Sequence, residues 1–290
     1  MSILTTILNG LSIGGVYALI ALGYTMVYGI AKMLNFAHGD IIMVGGYTIM
    51  VAFNITKSSI VATCVAIVLC VAMGIAIEFF AYRPLRGASP LAVLITAIGV
   101  SYLLQSVAQM VFGTATLMVL FPSLGMANLF GMQISWATLL TLGVAAVIMV
   151  ALTLFVNHTK TGRAMVAVSV DREAAQLMGI SVNGMIVLTF AIGSALAAVA
   201  GAFYILKAPQ VYVTMGAMPG IKAFTAAVIG GIGSIPGAML GGLLLGIIEM
   251  LCSGVPALAP YTVAIEFALL ILILLVKPTG LLGKKKREKV

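Results

Sequence analysis

Charge is what this sequence has least of. Seven of its 290 residues are acidic and fifteen are Lys or Arg, so 8% are charged while 62% are hydrophobic. A soluble domain carries about 25% charged and 45–50% apolar residues. No cytosolic core of this chain length could hide so much apolar surface, which excludes a soluble enzyme, a disordered chain and a coiled coil. The mean hydropathy of +1.23 makes lipid the main solvent. Period-two alternation is missing too, which excludes a β-barrel. The apolar runs are long and continuous, as spanning helices require.

Cysteine and histidine are scarce. Cys64, Cys70 and Cys252 all lie in apolar stretches, without metal spacing or a disulfide framework. His38 and His158 are the two histidines, too few for a metal centre. A phosphate-binding GxxxxGK[ST] loop, an HExxH pair and a nucleophile elbow are all missing from the sequence. The chain is therefore expected to be no enzyme and to hydrolyse no ATP itself. The N-terminus, MSILTTILNG, lacks the basic n-region of a cleavable signal peptide.

Spanning segments can be set out from the apolar runs, at about 20 residues each. They fall at 6–30, 35–52, 59–80, 90–112, 136–156, 184–206 and 261–276, with an interrupted apolar stretch at 222–251. Residues 87–159 contain no charge, and Gly113, Pro122, Gly125 and Gly131 mark the break inside them. The fold class is an all-α polytopic membrane protein of about 7–8 transmembrane helices, including broken or re-entrant segments. A single transmembrane domain is expected over 1–280, with a basic cytoplasmic tail at 281–290.

The basic residues orient these spans. With the C-terminus and loop 157–183 in the cytoplasm, the inner side holds Lys32, Arg83, Arg86, Lys160, Arg163, Arg172, Lys277 and the five basic residues of the tail. Lys57, Lys207 and Lys222 are left outside, which is the expected positive-inside bias. A polybasic stretch after a hydrophobic span is a membrane-surface anchor. With no basic folded face beside it, nucleic acid is not expected as a partner. Glu78 is expected to pair with Arg83 at the inner surface.

Two segments break the helical pattern: NFAHGDIIMVGG at 35–46 and GGIGSIPGAMLGG at 230–242. Irregular backbone at membrane depth survives where protein or a watery cavity satisfies it. Paired breaks in two halves of a chain point to a transport path. Candidate path residues are therefore Asn35, His38 and Asp40 in the first, and Gly230, Gly231, Gly233, Ser234 and Pro236 in the second. For His38 and Asp40 an interfacial position beside Lys32 is the other reading. Glu249 and Glu266 could hold a coupling ion, or be hydrated carboxylates near helix ends. No dedicated acid–base clamp for a zwitterion is visible.

The loop NHTKTGRAMVAVSVDREAAQLMGISVN, 157–183, predicts a short helix between Asp171 as N-cap and Gly179 as stop. Ala174, Leu177 and Met178 share one face. Such a helix is suited to dock a partner, or to lie along its own bundle.

At this point the sequence resembles a known family. EAAQLMG at 173–179 is similar to the EAA-x3-G core of the coupling loop in permeases of ABC importers. TGRAMVAVSVDREAAQLMGI, LNFAHGDIIMVGGY at 34–47 and GGIGSIPGAMLGGLLLG at 230–246 resemble the branched-chain amino acid permeases, over about residues 5–280. The continuation ISVNGMIVLTF lacks the I-x-L-P ending of the wider importer motif. The resemblance implies a coupling helix carrying Glu173, Ala174, Ala175, Leu177, Met178 and Gly179, inserted in a groove of an ATPase. It implies a second homologous permease, two ABC ATPase subunits using ATP and Mg, and a periplasmic substrate-binding protein. No cofactor is expected on this chain itself, and a bacterial inner membrane is the implied location. A stand-alone ion-coupled carrier or channel, using Asp40, Glu249 or Glu266, is the alternative that needs no docking helix.

Overall fold

In the computed structural model, residues 3–33, 35–119, 125–129 and 132–283 are described. The chain runs α1 (Ile3–Ala31), α2 (His38–Thr56), α3 (Ser59–Ile77), α4 (Pro90–Phe112), β1 (Leu117–Met118), β2 (Met126–Leu129), β3 (Met132–Ser135), α5 (Trp136–His158), α6 (Lys160–Val170), α7 (Arg172–Leu177), α8 (Val182–Lys207), β4 (Gln210–Val211), α9 (Ala217–Gly230), α10 (Ile235–Ser253) and α11 (Thr262–Val276). Among the described residues, eight helices are long and apolar enough to cross a membrane, and α9 is shorter. The fold is that of an all-α polytopic membrane protein. Among the described residues the strands form two two-stranded antiparallel pairs, β1 with β4 and β2 with β3.

Local chemistry sets the helix starts. Six hydroxyl or carboxylate caps accept amide protons of the first turn: Ser58, Ser89, Thr159, Asp171, Ser181 and Ser234. Each satisfies a donor that the helix leaves without a partner. Pro90 and Pro236 stand in the opening turns of α4 and α10, where the missing N–H costs nothing.

Two compact units are interleaved along the sequence. One comprises residues 1–25, 124–153 and 222–290. Within it α1 and α10 meet along a seam of small residues. A Cβ on Gly14 would lie 2.8 Å from Leu243 Cα, and one on Gly10 2.7 Å from Ile247 Cα. Side-chain-free positions let helices approach at backbone contact, the usual adhesive between apolar helices in lipid. Thr138 on α5 donates to Ser12 on α1 at 2.9 Å.

The other unit comprises residues 26–123 and 154–221. Here α2, α3 and α8 pack against one another around buried Met43, Ile49, Ala62, Ala66 and Ile205. Tyr47 of α2 stacks on Phe112 of α4 with ring centroids 4.3 Å apart. After Ile77 the helix widens into a π-turn, Glu78–Tyr82, and tightens into a 3-10 turn, Arg83–Leu85. This change of pitch corrects the expected ion pair. Glu78, fully buried, pairs with Arg86, and Arg83 lies over the Phe79 ring at 5.2 Å. Arg86 also donates to Asn183 at the start of α8.

Candidate functional site

The short helix of the 157–183 loop is α7. Asp171 accepts from the amides of Glu173 and Ala174, both at 3.0 Å. Glu173 follows in the first turn, where the helix dipole favours a carboxylate. Gly179 closes the helix with φ +79°, a left-handed conformation open to glycine at little cost. The Ile180 amide then reaches back to the Ala175 carbonyl at 3.0 Å, completing a Schellman-type stop. Ala175 is buried, but Ala174 is exposed, and Leu177 and Met178 are 89% and 82% exposed. Two large apolar side chains thus stand off the end of a rigidly capped turn.

The arm that carries α7 is itself built. Arg172 donates to the Ala31 carbonyl at the end of α1. Ahead of it, the eleven residues of α6 bury Gly162, Met165 and Val168 along one face. The sequence reading took this stretch for loop.

Asn35, His38 and Asp40 share one neighbourhood. All three are nearly fully buried, at 3%, 1% and 3% exposure. The Asn35 side chain accepts from the Tyr82 hydroxyl at 3.0 Å. Asp40 lies in the first turn of α2 and accepts from the Gln105 carboxamide at 2.8 Å. That contact fixes how far along α4 the residue sits. Lys32, just past α1, lines a groove with Arg86 and Pro90, where α4 begins. Gln105 is fifteen residues beyond Pro90, which is about 22 Å of helical rise. Between Lys32 and Asp40 the chain therefore climbs most of α4's length, and α2 starts inside the bundle. Gly39 and Gly216 face each other there: a Cβ on Gly39 would lie 2.6 Å from the Gly216 carbonyl oxygen.

Gly230, Gly231, Gly233, Ser234 and Pro236 belong to the other unit, at the turn from α9 into α10. Gly231 and Gly233 have φ of +105° and +94°. Ser234 caps α10, accepting from the Gly237 amide at 3.2 Å. The chain after α11 covers this turn. The Leu281 amide donates to the Ile229 carbonyl at 2.8 Å and the Leu282 amide to the Gly230 carbonyl at 2.9 Å. A Cβ on Gly231 would lie 2.5 Å from the Gly283 nitrogen.

Lys222, counted on the outer side by the charge split, is buried among the helices of its unit. It is 6% exposed, in α9. Its ammonium lies 2.7 Å from Glu249 of α10 and 3.3 Å from Glu266 of α11, with the Tyr17 ring at 5.8 Å. One cation thus holds two acids on three helices. The pairing joins residues 27 and 44 apart in the chain, so no local pattern announced it.

Residues 6–274 match the family described as "Branched-chain amino acid transport system / permease component". The chain belongs to this family. The high-affinity branched-chain amino acid transport system permease protein BraD of Pseudomonas aeruginosa is 43% identical over 99% of this chain and 98% of its own length. The corresponding protein LivH of Escherichia coli K12 is 44% identical, over 97% and 96%. A shorter match joins the fructose import permease FrcC of Rhizobium meliloti, 36% identical over 37% of this chain and 32% of that one. The family is one of transport permeases, so the chain is a transport protein of the membrane.

Proposed function

We propose that the chain is the pore-forming permease subunit of an ATP-binding-cassette importer for branched-chain amino acids, working by alternating access. The observation that carries this reading is α7. A capped six-residue helix with Leu177 and Met178 almost wholly exposed has no use in a carrier that works alone. It suits a groove on an ATPase, with Glu173, Ala174 and Gly179 setting its charge, clearance and aim. Ala175, which is buried, holds the helix in place. ATP and Mg belong to the two ATPase partners, and the chain binds no cofactor. A second homologous permease completes the pore, and a periplasmic binding protein delivers the substrate. Glu249 and Glu266 share Lys222, so an ion-coupled mechanism draws no support from them. Asn35, His38 and Asp40 are proposed to lie along the path, as are Gly230, Gly231, Gly233, Ser234 and Pro236.

The protein sits in the bacterial inner membrane, with the C-terminus, the 81–89 turn and the α6–α7 arm in the cytoplasm. The charge distribution supports that orientation. In a background without native cysteines, Lys286→Cys is expected to resist a membrane-impermeant maleimide in intact cells and to react after permeabilisation. Labelling from the periplasm would overturn the layout. The function is tested by co-expressing the chain with its neighbouring permease and ATPases. Co-purification and leucine uptake in proteoliposomes supplied with the binding protein are expected. A chain that purifies alone and transports without ATP would overturn it.

A further inference from the structure

At the start of α2 lies a cavity of about 410 Å³, in the size range of small-ligand sites. Its lining holds a linked polar group: the buried Asp40 carboxylate, Gln105 and Ser101. Gln105 bridges them, its carboxamide nitrogen lying 2.8 Å from Asp40 and 3.2 Å from Ser101. The rest of the lining is mostly apolar, with Phe36, Ile98 and Ile221, and Ile98 stands one turn before Ser101 on α4. The remaining edge is the start of α9, where Thr214 and Ala217 line the cavity.

Three features define what such a cavity accepts. Asp40 is 3% exposed, and none of the ion pairs among the described residues includes it. An acid held this way in a bundle calls for a positive group from elsewhere. The neutral Gln105 orients the carboxylate without discharging it. Next, the first residues of α9 bring the positive end of a helix dipole to the same space; the Ala217 and Gly220 amides already donate to the Thr214 and Gly216 carbonyls, so it is the field of the helix that suits a carboxylate there. Finally, the apolar part of the lining suits an aliphatic side chain.

We infer that this cavity is an intramembrane subsite for an α-amino acid zwitterion, with Asp40 taking the ammonium, the α9 start facing the carboxylate, and Phe36, Ile98 and Ile221 contacting the aliphatic side chain. This rests on the permease reading and adds the site within it. Asp40 and Gln105 bind the ligand directly. Ser101 positions Gln105. The close approach of Gly39 to Gly216 keeps the acid and the α9 start within the span of one small molecule.

The test is equilibrium binding of radiolabelled leucine to the whole complex in nanodiscs, without the binding protein. The competitors are unlabelled leucine and 4-methylpentanoate, which keeps the carboxylate and the side chain but lacks the ammonium. The wild type is expected to prefer leucine by roughly tenfold or more, the usual worth of a charge-assisted hydrogen bond. Asp40→Asn should erase that preference, and Asp40→Glu should restore part of it. Size-exclusion profiles check that each variant assembles. An Asp40→Asn complex that still prefers leucine as the wild type does overturns the inference. So does a wild type that binds no leucine at millimolar concentration. Failure of the wild type to assemble with ATPases or to take up leucine counts against the permease reading instead, and the binding ratio then judges the cavity by itself.

Discussion

Lys222→Met is expected to leave the chain unable to hold its fold in detergent. The substitution keeps much of the side-chain volume and removes the one cation between Glu249 and Glu266. Both acids then stand within apolar helices with no counter-charge, and Glu266 is only 1% exposed. Breaking a buried pair by removing one partner costs about 3–5 kcal/mol, a large share of the stability of a typical domain. Thermal unfolding of the solubilised complex, followed by fluorescence size-exclusion, should show a lower transition and aggregation. The triple variant Lys222→Met, Glu249→Gln, Glu266→Gln should recover most of the loss, because no uncompensated charge remains. A single Lys222→Met variant that unfolds with the wild type would show that the cluster contributes nothing.

The second large effect is on coupling. Ala174→Glu changes an exposed position of α7, so the chain's own packing is untouched. A charge placed beside Leu177 and Met178 would have to be desolvated in a partner's groove, and the expected loss in ATPase co-purification is tenfold or more, or about 1.4 kcal/mol of affinity. Substrate-stimulated ATP hydrolysis should fall with it. Ala175→Glu is a different experiment, since Ala175 is buried and the substitution disrupts the arm itself. Gly179→Val should misaim the helix, at about 1–3 kcal/mol if the left-handed conformation is kept. If Ala174→Glu leaves co-purification and stimulated hydrolysis unchanged at normal expression, α7 is not the docking element.

Helix positions were legible where composition was extreme. The charge-free run from 87 to 159 predicted helices at 90–112 and 136–156, and α4 and α5 occupy 90–112 and 136–158. Asp171 and Gly179 announced α7 because caps act within a few residues. Other features gave no local sign. The α6 helix is only eleven residues long, and its buried face consists of Gly162, Met165 and Val168. Gln105 reads as one polar residue in an apolar helix until Asp40, 65 positions away, is brought to it. Lys222 reads as a charge at the outer edge of the apolar stretch 222–251 until Glu249 and Glu266, 27 and 44 positions away, are brought to it. Glu78 found Arg86 rather than Arg83 through a π-turn, a pitch change that no residue pattern marks.

The cover over the α9–α10 turn bears on how the protein is made. The carbonyls of Ile229 and Gly230 obtain Leu281 and Leu282 as partners, and those residues are synthesised only after α10 and α11. During translation, therefore, the turn must wait in an unfinished state while two further helices enter the bilayer. Chains that stall or are cut before residue 281 would carry every predicted span and still lack the final closure. A quality-control protease that samples exposed backbone would meet in that turn the difference between a finished and an unfinished molecule.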